Sequence, residues 1–357
     1  MTQKANTAVI CLSPYQGGME LDTLHLAKMF TGICDVTLIA KDDHFIANTF
    51  LAQEEHHGVS LETIRFKGSF SLAIITTVRK IVKEKKIKNV IFLGASELKS
   101  LYFSFLGLHI NFIIRHGTTK STPKKDWFHR LIYSNVTTHI AICEHLARNV
   151  KKIIPFGPKT ALKVIYPSLN VDFPLPNKSG FHTPLRLLHV GRIAPAKGQV
   201  EAIQACAILD KNGIDFTLQC VGSFDKAYES TFQTFLDSVS YKDKIKIIGH
   251  TDKISDYYTQ SDIFLFPSAG EGLSNAFIEA LSAGLLCISF DNTSFPELQG
   301  LGFTTLLVPD QDIEHLQRSL FEAAQTKTFD YAQSNHILTQ KLFSVEQELT
   351  AFKALLA

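Results

Sequence analysis

The sequence predicts an α/β protein built from two doubly wound, parallel-sheet domains, and three observations carry that expectation. Short apolar runs of strand length recur along the chain, and most lead into an amphipathic helical stretch, the alternation that builds parallel sheets. A length of 357 residues suits two such domains. Near mid-chain, Pro167, Pro174, Pro176 and Gly180 punctuate a polar stretch that offers a boundary between them. The expected division is a first domain over 1–170, a linker over 171–184, a second domain over 185–343, and a last helix over 344–357 that crosses back to the first domain.

In the first domain, 7–13 reads as a buried strand, followed by Pro14, a Gly17-Gly18 turn and an amphipathic helix over 19–30. Strand, glycine turn and helix is a layout that can cradle phosphate, although the dinucleotide fingerprint G-x-G-x-x-G is absent. Strands follow over 35–40, 89–94, 111–115, 138–143 and 162–166, with helices over 71–86, 96–106 and 144–154. The cations around VRKIVKEKKIKN fit the negative end of a helix dipole. The strand over 111–115 runs straight into His116 and Gly117, which puts His116 at the carboxyl edge of the sheet, where α/β proteins keep their ligands. Beyond it, Lys120, Lys124, Lys125 and Arg130 surround the single tryptophan, Trp127. That mixture suits a phosphorylated or carbohydrate acceptor; the bland alternative is a loop leading into a helix that packs Trp127 and Phe128 inward.

The second domain opens with a strand over 185–190 and the turn Gly191-Arg192-Ile193-Ala194-Pro195-Ala196-Lys197-Gly198 before a helix. A cation on each side of a tight turn at a helix start can clamp a diphosphate, Arg as a planar fork and Lys as a point charge. Strands over 216–221 and 244–248 deliver Ser223 and Thr251 to the same edge. The strand over 263–266 leads into FPSAGEGLSNAFIEALSAG, in which Pro267 stops the strand and a helix starts near Ser274. The free N–H groups from about Gly272 through Leu273, Ser274 and Asn275 to Ala276 form a site for phosphate or sugar hydroxyls. Glu271 precedes that helix and Glu279 lies inside it, about 12 Å apart if the intervening eight residues are helical.

Composition bounds the function. A hydrophobic content of 45% is ordinary for a globular chain, and no segment is apolar enough to span a bilayer. The start MTQKANTAVICLS lacks a signal-peptide pattern, so a cytoplasmic location is expected, with contact to the inner membrane face left open. The six cysteines form no C-x-x-C pair and read as reduced core thiols, so no metal site is expected. Net charge is +2, yet residues 1–170 hold 22 Lys and Arg against 12 Asp and Glu, while the remainder is acidic. The basic half suits an anionic acceptor or an anionic membrane surface. No nucleic-acid partner is expected.

Taken together, Gly191-Arg192, Lys197-Gly198 and the Glu271-x7-Glu279 spacing resemble the retaining glycosyltransferases of GT-B fold, in particular glycosyltransferase family 4 (glycosyl transferases group 1). The resemblance implies two Rossmann-like domains facing a central cleft, the first binding acceptor and the second a nucleotide-diphosphate sugar. It implies that Arg192 and Lys197 neutralise the diphosphate, that Glu271 and His116 lie beside the donor sugar, and that Glu279 accepts hydrogen bonds from ribose. It also implies donor contacts from Gly17, Gly18, Gly191, Ser223, Thr251, Gly272, Leu273, Ser274 and Asn275. Lys120, Lys124, Lys125, Trp127 and Arg130 are the expected acceptor contacts. No cofactor or metal is expected, since no Asp-x-Asp motif is present, and a UDP-sugar is favoured over GDP- or ADP-sugars. The expected product is a lipopolysaccharide or other cell-surface glycan, built on an anionic glycan or glycolipid. Two departures from the family stand out: Cys143 where Ser is common, and Asn292-Thr293-Ser294 where Gly-Gly is common. A sugar-nucleotide epimerase and a non-catalytic nucleotide-sugar-binding protein remain as alternatives.

Overall fold

The computed structural model describes residues 5–169, 172–326 and 328–356, and contains two compact units, Met1–Pro167 with Val345–Ala357, and Ser168–Ser344. Asn170 and Val171, where the first domain was expected to meet the linker, lie outside the described residues.

The first unit is built on a seven-stranded, all-parallel sheet. Its strands in chain order are β1 Asn6–Cys11, β2 Asp35–Lys41, β3 Ser60–Ile64, β4 Asn89–Leu93, β5 Asn111–His116, β6 Thr138–Ala141 and β7 Ala161–Val164. Their spatial order is β3-β2-β1-β4-β5-β6-β7, so the winding direction reverses between β1 and β4. Strand alternation splits the core in two: Ala8 and Ile10 of β1 join one apolar cluster, Val9 and Cys11 the other. The helix Phe45–Leu51 and strand β3 escape the sequence reading. In β3 the pattern Ser-Leu-Glu-Thr-Ile is only partly buried, as befits an edge strand, and so lacks the apolar run that marks the central ones.

The last helix, Val345–Leu356, packs within this first unit, where Phe352 and Leu356 join the β1 core. Its terminal carbonyls find side-chain donors: Asn89 Nδ2 reaches Leu356 O at 3.1 Å and Asn111 Nδ2 reaches Leu355 O at 2.8 Å. Arg115 on β5 completes the attachment, with Nε 2.7 Å from Asp22 Oδ2, Nη2 2.9 Å from Glu348 Oε1, and its guanidinium over the Phe352 ring. A buried guanidinium flanked by two carboxylates is held by geometry and costs several kcal/mol to unpair.

The second unit carries a six-stranded parallel sheet. Its strands are β8 Leu185–Val190, β9 Phe216–Val221, β10 Ile245–Gly249, β11 Ile263–Leu265, β12 Leu286–Phe290 and β13 Leu306–Val308. The order β10-β9-β8-β11-β12-β13 reverses between β8 and β11. Strand β13 was not anticipated: it is a short edge strand in which only Val308 is fully buried. All six cysteines are buried and unbridged.

Candidate functional site

The reversal between β8 and β11 fixes where the second unit can hold a ligand, because neighbouring strands there send their following loops in opposite directions and leave a crevice at the carboxyl edge. The loop after β8 carries Gly191, Arg192 and Lys197. The loop after β11 carries Ser268, Glu271, Gly272, Leu273 and Ser274. The two loops are bound to one another. Lys197 Nζ lies 2.7 Å from Glu271 Oε1, and Ser268 Oγ lies 3.0 Å from the same oxygen. Ala269 N donates to Ala196 O at 3.1 Å.

Backbone geometry permits this approach only with glycine at two positions. Gly198 sits at φ +82, and a Cβ there would collide with the Pro267 carbonyl. Gly222, after β9, sits at φ +147 and would collide with the Gly191 carbonyl. Beneath the loop, His189 Nε2 is 2.8 Å from Lys197 O, and burial pushes this imidazole down to about 4, so it is neutral at neutral pH. Gln199 Nε2 donates to the carbonyls of Gly191 and Arg192. Asn292 Nδ2 holds Ser268 O at 3.1 Å and Asp310 Oδ1 at 2.6 Å, which gives the unexpected Asn-Thr-Ser segment a bracing role.

The helix expected near Ser274 begins at Asn275 and runs to Ser282, with Ser274 as its N-cap accepting from Phe277 N. Residues 271–274 are not helical, so the 12 Å separation expected of a continuous helix does not apply to Glu271 and Glu279. Glu279 is half-buried, and Tyr258 Oη donates to its Oε2 at 2.9 Å. Burial raises the Glu279 pKa, and the Tyr258 bond opposes that rise. Arg192 is exposed at the mouth of the β8 loop. Ser223 is exposed, with its carbonyl accepting from Ile193 N, and Thr251 Oγ1 accepts from Lys253 N. Tyr258, His189, Ser268 and Gln199 were missed in the sequence because each is an ordinary polar or aromatic residue with no spacing signal, and Asn292 stood out only as a departure from the family pattern.

The first unit has a separate cavity of about 560 Å³ at its own reversal between β1 and β4. It is lined by Ser13 and Tyr15 after β1, Glu97 after β4, His116 at the end of β5, and Lys120 beyond it. Gly17 and Gly18 stand at the start of the helix Gly18–Phe30 and are not among its lining residues. Gly17 is the N-cap in extended backbone, and Glu20, buried in the first turn, would come to 3.1 Å of a Cβ placed there.

His116 is buried, with Nε2 2.9 Å from His139 Nδ1 and Nδ1 3.5 Å from Lys120 Nζ. Lys120 donating to Nδ1 leaves the Nε2 proton of His116 to serve His139. Burial, then Lys120, lowers the His116 pKa well below its usual value. Burial, aided by Lys124, brings Lys120 down to about 8, and His139 falls to about 3. The basic segment itself divides. Lys120 faces this cavity, whereas Lys125 and Arg130 line a second one. Trp127 is 76% exposed and Phe128 36%, so neither packs inward as the bland alternative had it.

Each unit is a parallel-sheet, Rossmann-like domain with its own switch point, and the pair matches solved structures of GT-B fold. Residues 174–331 match the family described as Glycosyl transferases group 1, a span that holds Arg192, Lys197, Glu271 and Glu279. Over 161 residues the chain is 32% identical to the amylovoran biosynthesis glycosyltransferase AmsK of Erwinia amylovora, covering 43% of this chain and 39% of that protein. The chain thus spans about two fifths of the length of this curated relative. Among solved structures, a glycosyltransferase from Rickettsia africae ESF-5 superposes with a TM-score of 0.83 at 16% identity, covering 99% of this chain and 98% of the other. Anabaena Alr3699/HepE, solved in complex with UDP, gives 0.80 at 16% identity with 98% of both chains covered. Among the described residues there is no cluster of metal-ligating side chains, and no helix is long and apolar enough to cross a membrane.

Proposed function

We propose that the protein transfers a sugar from a nucleotide-diphosphate sugar to a glycan or glycolipid acceptor, with retention at the anomeric carbon, in the synthesis of a cell-surface polysaccharide. The observation that carries this reading is the contact of Lys197 with Glu271 at the β8/β11 switch point, inside a domain that matches glycosyl transferases group 1. Polysaccharide synthesis is supported by the likeness to the amylovoran enzyme, and a UDP-sugar by the HepE structure.

Breaking the sugar–phosphate bond leaves positive charge at the anomeric carbon and a departing diphosphate, so neutralising that diphosphate is the main electrostatic task. Arg192 and Lys197 supply cations, and the N-terminal amides of the helix Asn275–Ser282 supply oriented donors. No metal is assigned a part in this step. The ammonium of Lys197 is engaged by Glu271, so an arriving phosphate exchanges one anionic partner for another and frees Glu271 to meet sugar hydroxyls. Glu279, held by Tyr258 through one oxygen, keeps its other oxygen for ribose hydroxyls. Acceptor capture is assigned to the β1/β4 cavity of the first unit, where Lys120 offers a cation and Glu97 a carboxylate whose pKa burial raises.

The test is a thermal-shift and turnover screen over UDP-, GDP- and ADP-sugars, because a ligand bound only by the folded state raises its stability by mass action. Stabilisation by a nucleotide sugar, with release of its diphosphate when acceptor is added and chelator is present, is the expected result. Indifference to every nucleotide sugar removes the proposal.

A further inference from the structure

His139 stands on β6 with no exposed surface, and the rings of Phe156 and Tyr133 lie 4.9 Å and 5.8 Å from its own, centre to centre. Such surroundings suit an apolar side chain. Imidazole costs stability there, since His139 Nε2 is buried with no hydrogen-bond partner among the described residues. Its other nitrogen is engaged: Nδ1 lies 2.9 Å from Nε2 of His116, at the end of the neighbouring strand β5. Both rings are neutral, because burial drives each pKa down.

One of these rings must donate to the other, and Lys120 decides which. Its backbone is held by Asn149, whose Nδ2 donates to Lys120 O at 2.9 Å and whose Oδ1 accepts from Lys120 N at 3.0 Å. Lys120 Nζ then lies 3.5 Å from His116 Nδ1, and an ammonium can only donate. A proton on His116 Nδ1 would oppose it. The proton therefore sits on Nε2, and His139 Nδ1 accepts it. Lys120 and His116 line the β1/β4 cavity whereas His139 does not, which puts Nδ1 on the cavity side of the His116 ring. The cavity thus meets a lone pair beside an ammonium, an acceptor next to a donor. A hydroxyl donates and accepts at one oxygen and answers both; an ether oxygen or a C–H group does not.

We propose that His139 is a positioning residue for His116: by accepting the Nε2 proton it fixes the tautomer whose Nδ1 lone pair, together with Lys120, selects a sugar hydroxyl in the cavity. The selection of a hydroxyl rests on the cavity's assignment to the sugar acceptor; the tautomer does not.

Long-range proton–nitrogen NMR correlation on the full chain, with isotope-labelled histidine, reads the two parts separately. Signals of His116 are assigned by their loss in His116→Gln. Without ligand, the wild type should show His116 protonated at Nε2 alone. His139→Phe keeps a ring between Tyr133 and Phe156 but offers no acceptor, so His116 should then show both tautomers. His139→Asn sets an amide oxygen in the place of Nδ1 and should restore the single tautomer. Should the Phe variant lack wild-type far-UV circular dichroism, His139→Leu takes its place. Octyl glycosides of glucose, galactose and mannose, and their monodeoxy analogues, are then titrated as probes. In the wild type and in His139→Asn, at least one glycoside should move the His116 Nδ1 signal, and loss of one of its hydroxyls should weaken binding about tenfold, the effect of one lost hydrogen bond. In His139→Phe that penalty should vanish. A wild-type His116 protonated at Nδ1 overturns the proposal, as does a Phe variant that keeps the single Nε2 tautomer. An equal deoxygenation penalty in all three proteins overturns the selection of a hydroxyl by His116. The expected tautomers with an Nδ1 signal that no glycoside moves overturn that selection together with the assignment of the cavity to the acceptor.

Discussion

Lys197→Met is the perturbation that separates a catalytic cation from a structural one. The ammonium lies 2.7 Å from Glu271 Oε1, its side chain is 30% exposed and the Glu271 side chain 11%, so the pair is partly screened rather than deeply buried. Removing the cation has two effects. Glu271 keeps only the Ser268 hydroxyl at this oxygen, which should cost about 1 kcal/mol of stability, the low end of the range for an unsatisfied buried group. Loss of a charge-assisted contact to the departing diphosphate should raise the barrier by about 1.5 to 3 kcal/mol, which lowers kcat/KM by roughly tenfold to 100-fold. The two effects part in Lys197→Met/Glu271→Gln, which has no buried carboxylate left to unpair. Its Tm should recover toward wild type while its turnover stays low. Initial rates of nucleoside diphosphate release and thermal denaturation on the three proteins suffice. If the folded single variant turns over at the wild-type rate, or if the double variant recovers activity along with stability, Lys197 is a loop brace and the diphosphate clamp is misassigned.

Further expectations follow from the same geometry. Glu279→Ala should weaken both free UDP and the sugar nucleotide in calorimetric titrations, and Tyr258→Phe should do so by about tenfold, whereas Glu271→Ala should weaken chiefly the sugar nucleotide; equal losses for both ligands in every variant would refute this division. Gly198→Ala should destabilise the chain by at least about 2 kcal/mol, since the backbone is left-handed there and the Pro267 carbonyl cannot yield, and an unchanged urea midpoint would count against that loop geometry. Lys120, at about 8 in the folded chain and higher when unfolded, binds fewer protons folded than unfolded between those values, so its burial penalty is full below pH 8 and fades as pH rises. Lys120→Met should therefore raise Tm at pH 7 more than at pH 10, while the wild-type KM for an anionic acceptor rises as pH passes 8 and that of the variant stays flat. A Tm gain independent of pH would show that Lys120 is not charged in its pocket.

Much of the fold was legible because central parallel strands are buried on both faces and read as apolar runs, as in Ala8–Cys11 and Ile263–Leu265. Edge strands β3 and β13 lack that signature, since both are only partly buried: β3 fully only at Ile64 and β13 only at Val308. Glu271 and Lys197 were singled out by the glycine-bearing turns that carry them and by the resemblance of those motifs to the family. Their contact was not foreseen, since spacing within each loop says nothing about the distance between loops. Cys143 is the N-cap of the helix Glu144–Ile153, with its sulfur accepting from Leu146 N at 3.5 Å, so the departure from serine preserves the cap. The basic segment was legible only as composition. Its division between two cavities depends on where the helix Trp127–Tyr133 turns each side chain, and residues 118–126 ahead of that helix carry no periodicity from which its facing could be read.

The most direct test of sugar transfer is time-resolved proton NMR of the purified protein with a panel of UDP-sugars and a glycan or glycolipid acceptor, following anomeric signals. Retaining transfer predicts that the donor signal decays in step with the appearance of UDP and of one new anomeric signal of the same configuration, and only when acceptor is present. A product of inverted configuration would contradict retention. Conversion of the donor to another UDP-sugar without release of UDP would contradict transfer itself and point to epimerisation instead.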